Sequence, residues 1–162
     1  MNQDLEIVLG KKLLELGWKI ATAESCTGGL LSHRLTNVPG SSDYFPGGVV
    51  AYSYEAKTNL LDVSKNLLNQ RGAVSREVVL EMAAGVCERF SAEVGLAVSG
   101  IAGPGGGTKE KPVGLAWVGL QTPTGNHAAR IQTNGTRLEN KEAFADFALE
   151  CTLARLEEYD SN

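Results

Sequence analysis

The sequence predicts an α/β fold in which a mixed sheet is covered by helices on both faces. Three observations predict it. Segments of helical period alternate with short β-rich runs early in the chain. Late in the chain, two strand-like runs are joined by Pro123-Thr124-Gly125-Asn126, a hairpin signal. Glycine is concentrated in a few places, Gly28-Gly29, Gly47-Gly48 and Gly100 through Gly107, and two of these clusters fall at the carboxyl ends of expected strands. In sheets of this class, ligands sit at those ends.

Each element has its own signal. Leu5, Val8, Leu9, Leu13 and Leu16 recur at helical spacing, and Gly17 is placed to stop that helix. Trp18 to Ala23 is a short apolar run and reads as a strand. Leu30, Leu31 and Leu35 mark a helix that begins in the glycines just after Ser25. Gly48 to Tyr54 is β-rich and reads as a second strand, followed by a short helix from Glu55 to Leu61. Ser75 is the expected N-cap of a long helix carrying Val78, Val79, Met82, Val86 and Phe90. Val94 to Val98 is a strand that runs into the glycine-rich stretch. Val113 to Gln121 and Ala128 to Gln132 form the hairpin. Thr136-Arg137-Leu138-Glu139 is a capping box opening a last helix, whose buried stripe is expected to be Phe144, Phe147, Cys151 and Ala154. No repeat or linker interrupts the chain, so residues 1–162 read as one domain.

Composition narrows the function classes. The 162 residues are 43% hydrophobic and 21% charged, enough for one self-sufficient core. Net charge is -4 and no basic stripe is present, which argues against a nucleic-acid partner. Three unpatterned cysteines, Cys26, Cys87 and Cys151, argue for a reducing, cytoplasmic setting without disulfides. His33 and His127 lack companions at ligand spacing, so no metal site is expected. The opening MNQDLEIVLGKKLLELG is periodic and interrupted by lysines, unlike a signal peptide, and no run suits a membrane span.

Four constellations carry possible chemistry. Ala23-Glu24-Ser25-Cys26-Thr27-Gly28-Gly29 sits where a strand hands over to a helix. A hydroxyl or thiol there lies beside free N–H groups able to stabilise an oxyanion. The same residues also suit a plain tight turn capped by Thr27. Tyr52-Ser53-Tyr54-Glu55-Ala56-Lys57 puts two tyrosines on one strand face and a lysine on the next helical turn. Lys57 acts as a base only if burial or nearby positive charge destabilises its ammonium; otherwise it is a solvated lysine. Ser99-Gly100-Ile101-Ala102-Gly103-Pro104-Gly105-Gly106-Gly107-Thr108 allows close backbone approach to a ligand, but matches neither a Walker loop nor G-x-G-x-x-G. Arg137, at the start of the last helix, suits a phosphate or simply faces solvent beside Glu139. Cys26 also admits a thiol-enzyme reading.

Taken together, Thr22 to Gly29, Pro39-Gly40-Ser41-Ser42, Val50-Ala51-Tyr52-Ser53-Tyr54-Glu55-Ala56-Lys57, Gly72-Ala73-Val74-Ser75, Val98 to Pro104 and Lys111-Pro112-Val113-Gly114 resemble, in order and spacing, the C-terminal domain of the competence/damage-inducible protein CinA. That family includes stand-alone nicotinamide-nucleotide amidohydrolases. The resemblance implies a three-layer α/β/α sandwich with a mixed central sheet. It implies a Ser25–Lys57 catalytic pair with Tyr52 as a supporting hydroxyl, and Arg137 at the substrate's phosphate. Thr27, Gly28, Gly29, Ser42, Ser99, Gly100 and Gly103 are the further residues expected at the substrate. The implied reaction converts nicotinamide mononucleotide to nicotinate mononucleotide and ammonia, with no metal or organic cofactor. The expected partner is this small nucleotide, and a homodimer is the default assembly. The loop departs from the pattern: Gly105 follows Pro104 where many relatives carry an acidic residue. The family's frequent N-terminal pyrophosphatase domain is lacking, so that activity is not expected. Two other readings stay open, a non-catalytic pyridine-nucleotide-binding or regulatory domain and an assembly domain. Neither needs Ser25 together with Lys57.

Overall fold

The computed structural model describes residues 5–160. The elements are α1 (Leu5–Leu16), β1 (Ile20–Glu24), α2 (Leu30–Thr36), a 3-10 turn (Ser41–Asp43), β2 (Gly47–Val50), α3 (Tyr54–Leu61), α4 (Lys65–Arg71), α5 (Arg76–Phe90), β3 (Val94–Gly100), β4 (Leu115–Thr122), β5 (Gly125–Gln132) and α6 (Arg137–Asp160). The sheet order is β2-β1-β3-β4-β5. β2, β1 and β3 run parallel, while β4 and β5 are antiparallel additions. The expected mixed sheet is therefore present.

Period-two alternation sorts the strands between two cores. Ile20, Val94, Leu96, Val98, Ala116, Val118 and Leu120 face one layer, built from α1, α2 and α6. Ala21, Ala23 and Ala97 face the other, built from α3, α4 and α5. The second layer is close-packed because its side of the sheet is stripped of bulk. A Cβ on Gly95 would stand 2.1 Å from the Ala83 carbonyl oxygen, and one on Gly119 2.3 Å from that of Val79. In the first layer, the buried Arg34 guanidinium of α2 pairs with Glu6 of α1 at 2.8 Å and with Asp146 of α6 at 2.6 Å. That pairing ties the three helices of the layer together.

Several expected boundaries move, each for a local reason. The strand read over Gly48 to Tyr54 ends at Val50, because Ser53 leaves the sheet to cap α3, accepting a hydrogen bond from Ala56 N–H at 3.0 Å. α4 adds a helix that the sequence pattern does not announce; Ser64 caps it and only Leu68 is fully buried, so its periodicity is thin. The hairpin is tighter than expected: Thr122 pairs with Gly125, leaving Pro123-Thr124 as the turn. Val8 is 43% exposed, off the buried Leu9–Leu13 side of α1. On α6 the stripe is Phe144, Ala145, Ala148, Leu149, Thr152 and Leu156. Ala154 is exposed, since ten residues at 3.6 per turn carry it about 80° from Phe144. No helix among the described residues is long and apolar enough to cross a membrane.

Candidate active site

The parallel strands end together, and the turns and loops that leave them meet at one edge of the sheet. After β1 the chain enters a tight turn: Ser25 N–H donates to Val98 O at 3.0 Å and Gly28 N–H to Ser25 O at 3.1 Å. Among the described residues the N–H groups of Cys26 and Thr27 have no backbone partner. They are two donors immediately after the Ser25 hydroxyl, the Cys26 N–H standing close to its own thiol. Gly28 and Gly29 adopt φ 61° and 102°, conformations that L side chains resist, which explains why the turn is written in glycine.

Glu24 holds this turn. Its fully buried carboxylate accepts from Thr27 Oγ1 at 2.7 Å, Gly29 N–H at 3.1 Å, Leu31 N–H at 3.0 Å, and both the N–H and the hydroxyl of Ser32 at 2.8 Å. The carboxylate thus supplies the cap that α2 otherwise lacks, its own N-cap being Gly29. Thr27, expected at the substrate, spends its hydroxyl on Glu24, and Gly29 spends its N–H there too. Both shape the turn from behind.

Lys57 lies on the first turn of α3 and is 1% exposed. Its amine donates to Ser25 Oγ at 2.9 Å, Ala51 O at 2.8 Å and Tyr52 O at 3.1 Å. The strand that stops at Val50 makes this possible, because the next two carbonyls turn inward rather than continuing the ladder. Burial pulls the Lys57 amine down to about 8. Burial pushes Cys26 itself up to about 12. The thiol is therefore held protonated, and neither histidine bonds to it among the described residues, which removes the thiolate reading.

A cleft of about 250 Å3 opens over this pair. Ser25, Cys26 and Lys57 meet it on one side, and Ser99, Gly100 and Gly103, from the end of β3 and its loop, on the other. Arg137, at the start of α6, closes the rim. Its guanidinium donates to Gly103 O at 2.7 Å and to the Tyr52 hydroxyl at 3.3 Å. The Tyr52 phenol is thus turned to Arg137, not to Lys57, and the residue is 63% exposed. What Tyr52 offers Lys57 is its carbonyl, so the expected supporting hydroxyl is corrected to a supporting backbone oxygen. Ser42 is also corrected. It lies on the 3-10 turn before β2, beside Tyr44, whose carbonyl takes the Ile20 N–H at the start of β1. That is the opposite end of the parallel strands from Ser25.

Sequence reasoning assigns no role to Asn140. Fully buried, it donates to Ala102 O and Gly135 O at 3.0 Å and accepts from Thr133 Oγ1 at 2.7 Å and Gly135 N–H at 2.9 Å. It pins the β3 loop to the head of α6, and so sets Arg137 against Gly103. Among the described residues no group of three His, Cys, Asp or Glu side chains could hold a metal ion.

The comparisons with known proteins agree with one another. The family model for the CinA C-terminal domain matches residues 2–156. A CinA-like protein of Salinibacter ruber is 51% identical over 146 residues, covering 90% of this chain and 35% of that protein. The chain spans about a third of the length of the curated relatives it matches. A crystal structure of a CinA superfamily protein from Klebsiella pneumoniae superposes with TM-score 0.93 at 31% identity, covering 98% of this chain and 99% of that one. The competence/damage inducible protein CihA of Agrobacterium tumefaciens gives 0.91 at 39% identity, with 96% and 94% covered. A sandwich built around Ser25 and Lys57, matched along nearly its whole length, therefore belongs to the CinA C-terminal domain family.

Proposed function

We propose that this domain is a serine amidohydrolase that converts nicotinamide mononucleotide to nicotinate mononucleotide and ammonia. One observation supports the reading most: a buried amine with depressed basicity, 2.9 Å from a hydroxyl in the floor of a cleft. The hydrogen bonds around Lys57 suit the neutral amine. Once the ammonium that donates to Ser25 Oγ gives up a proton, two N–H groups can stay on Ala51 O and Tyr52 O, and the freed lone pair can accept from the Ser25 O–H. A binding or assembly domain has no use for such a buried lysine of lowered basicity.

In the proposed sequence, Lys57 takes the proton of Ser25 as Oγ attacks the carboxamide carbon. The N–H groups of Cys26 and Thr27 receive the developing oxyanion, each good donor contributing about 3 kcal/mol. Lys57 returns the proton to the departing ammonia. A water then attacks the acyl-serine, with Lys57 as base again, and Ser25 leaves with its proton restored. Arg137 binds the phosphate at the rim, away from the reacting carbon. The test is a coupled ammonia assay with nicotinamide mononucleotide. Wild type should release ammonia and nicotinate mononucleotide in equal amounts, and Ser25→Ala should lower turnover by at least about 1,000-fold. Wild-type protein that releases no ammonia, or a Ser25→Ala variant that turns over normally, would sink the proposal.

A further inference from the structure

We propose that Lys141 is a second substrate-binding cation and that, with Arg137, it selects substrates carrying a doubly charged phosphate. The inference rests on the amidohydrolase reading of the cleft and extends it. Lys141 and Arg137 are four residues apart on α6, hence neighbours on one helix face with Cβ atoms about 5–6 Å apart. Arg137 lines the cleft. The Lys141 ammonium reaches the nucleophile turn: its Nζ lies 3.5 Å from where a Cβ on Gly28 would stand. Its charge is felt at the Cys26 thiol, which lines the cleft next to Ser25.

Neither cation is neutralised. Arg137 spends its guanidinium on two uncharged oxygens, those of Gly103 and Tyr52. Lys141 has no ion-pair or hydrogen-bond partner among the described residues. Glu139, the acid between them in sequence, has its Oε2 occupied by the N–H and hydroxyl of Thr136. Two adjacent like charges left unpaired beside a cleft repel one another, and an anion between them relieves that repulsion. A phosphate monoester carries about −1.5 to −2 charge at neutral pH, so two cations match it, whereas a carboxylate needs only one.

The test compares nicotinamide mononucleotide with nicotinamide riboside, which lacks the phosphate, on wild type, Lys141→Gln and Lys141→Arg. The kcat/KM ratio of nucleotide to riboside should fall about tenfold in Lys141→Gln, through KM for the nucleotide, and return in Lys141→Arg. An unmoved ratio, or equal losses on both compounds, overturns the inference and leaves the amidohydrolase reading intact. If wild type releases no ammonia from either compound, that reading fails, and calorimetry with the nucleotide on the same proteins decides. A tenfold weaker affinity in Lys141→Gln upholds the cation pair; equal affinities, or no binding at all, overturn it.

Discussion

A buried lysine that donates to two carbonyls and a hydroxyl, with no carboxylate in its hydrogen-bonded set, loses its hydration without gaining a counter-charge. That is the physical content of the Lys57 site, and it sets a pH dependence. With the amine pulled down to about 8, the competent neutral form grows as pH rises through that value. The proposed activity, followed as kcat/KM for ammonia release, should therefore climb about tenfold per unit below pH 7 and level off above about pH 9. A flat profile from pH 6 to 10 would remove Lys57 as the base. At this scale the sequence is partly legible. Ser25 and Lys57 stand out because their residue types and neighbours carry chemistry. The Tyr52 hydroxyl is misassigned from sequence because alternation along a strand fixes a side chain only while the strand lasts, and β2 ends at Val50. The carbonyls of Ala51 and Tyr52 have no sequence signal, since every residue has one.

Among the elements, α2 shows how a site borrows rigidity. The helix has seven residues, begins at a left-handed glycine and has no side-chain cap of its own. Glu24, on the adjoining strand, replaces that cap and fixes the Ser25 turn with the same carboxylate. Glu24→Ala should leave several buried donors without a partner and destabilise the protein by about 3 kcal/mol or more, read from urea denaturation. Glu24→Gln keeps the shape but turns one acceptor into a donor. It should lower kcat while leaving KM near wild type, because the N–H groups after Ser25 are re-aimed. Loss in KM alone would separate the cap from the chemistry. Helices with strong punctuation are legible here: the Thr136–Glu139 capping box is present, with Glu139 Oε2 2.7 Å from Thr136 N–H. α4 is not legible, since its one fully buried leucine defines no period. Ser42 is misplaced for a topological reason, as a motif's order along the chain does not say at which end of a strand it falls.

For the whole molecule, the governing feature is how closely α5 lies on the sheet. Gly95 and Gly119 let its backbone approach to distances that a methyl group would block. Gly119→Ala should cost about 2 kcal/mol and lower Tm by roughly 4–8 °C, because the obstacle is the Val79 carbonyl and not a yielding side-chain tip. Gly105→Ala, which meets nothing within 4 Å, should leave Tm unchanged in the same thermal melt. The order of helices and strands that predicts this architecture is legible because each layer buries a periodic face. Which layer each helix joins is not, because the choice depends on strand order and crossover, which no local pattern records.

The layer assignment has one more consequence. Ser25 belongs to a turn that Glu24 and α2 anchor in one helical layer, whereas Lys57 rides on α3, a member of the other. The 2.9 Å contact is therefore a bridge across the sheet's rim, and nothing in either layer alone maintains it. Sliding one layer by less than the length of a C–C bond would part hydroxyl from amine while every helix and strand stayed whole. The proposed turnover would then work as a gauge of layer alignment, finer than any spectroscopic measure of helix content.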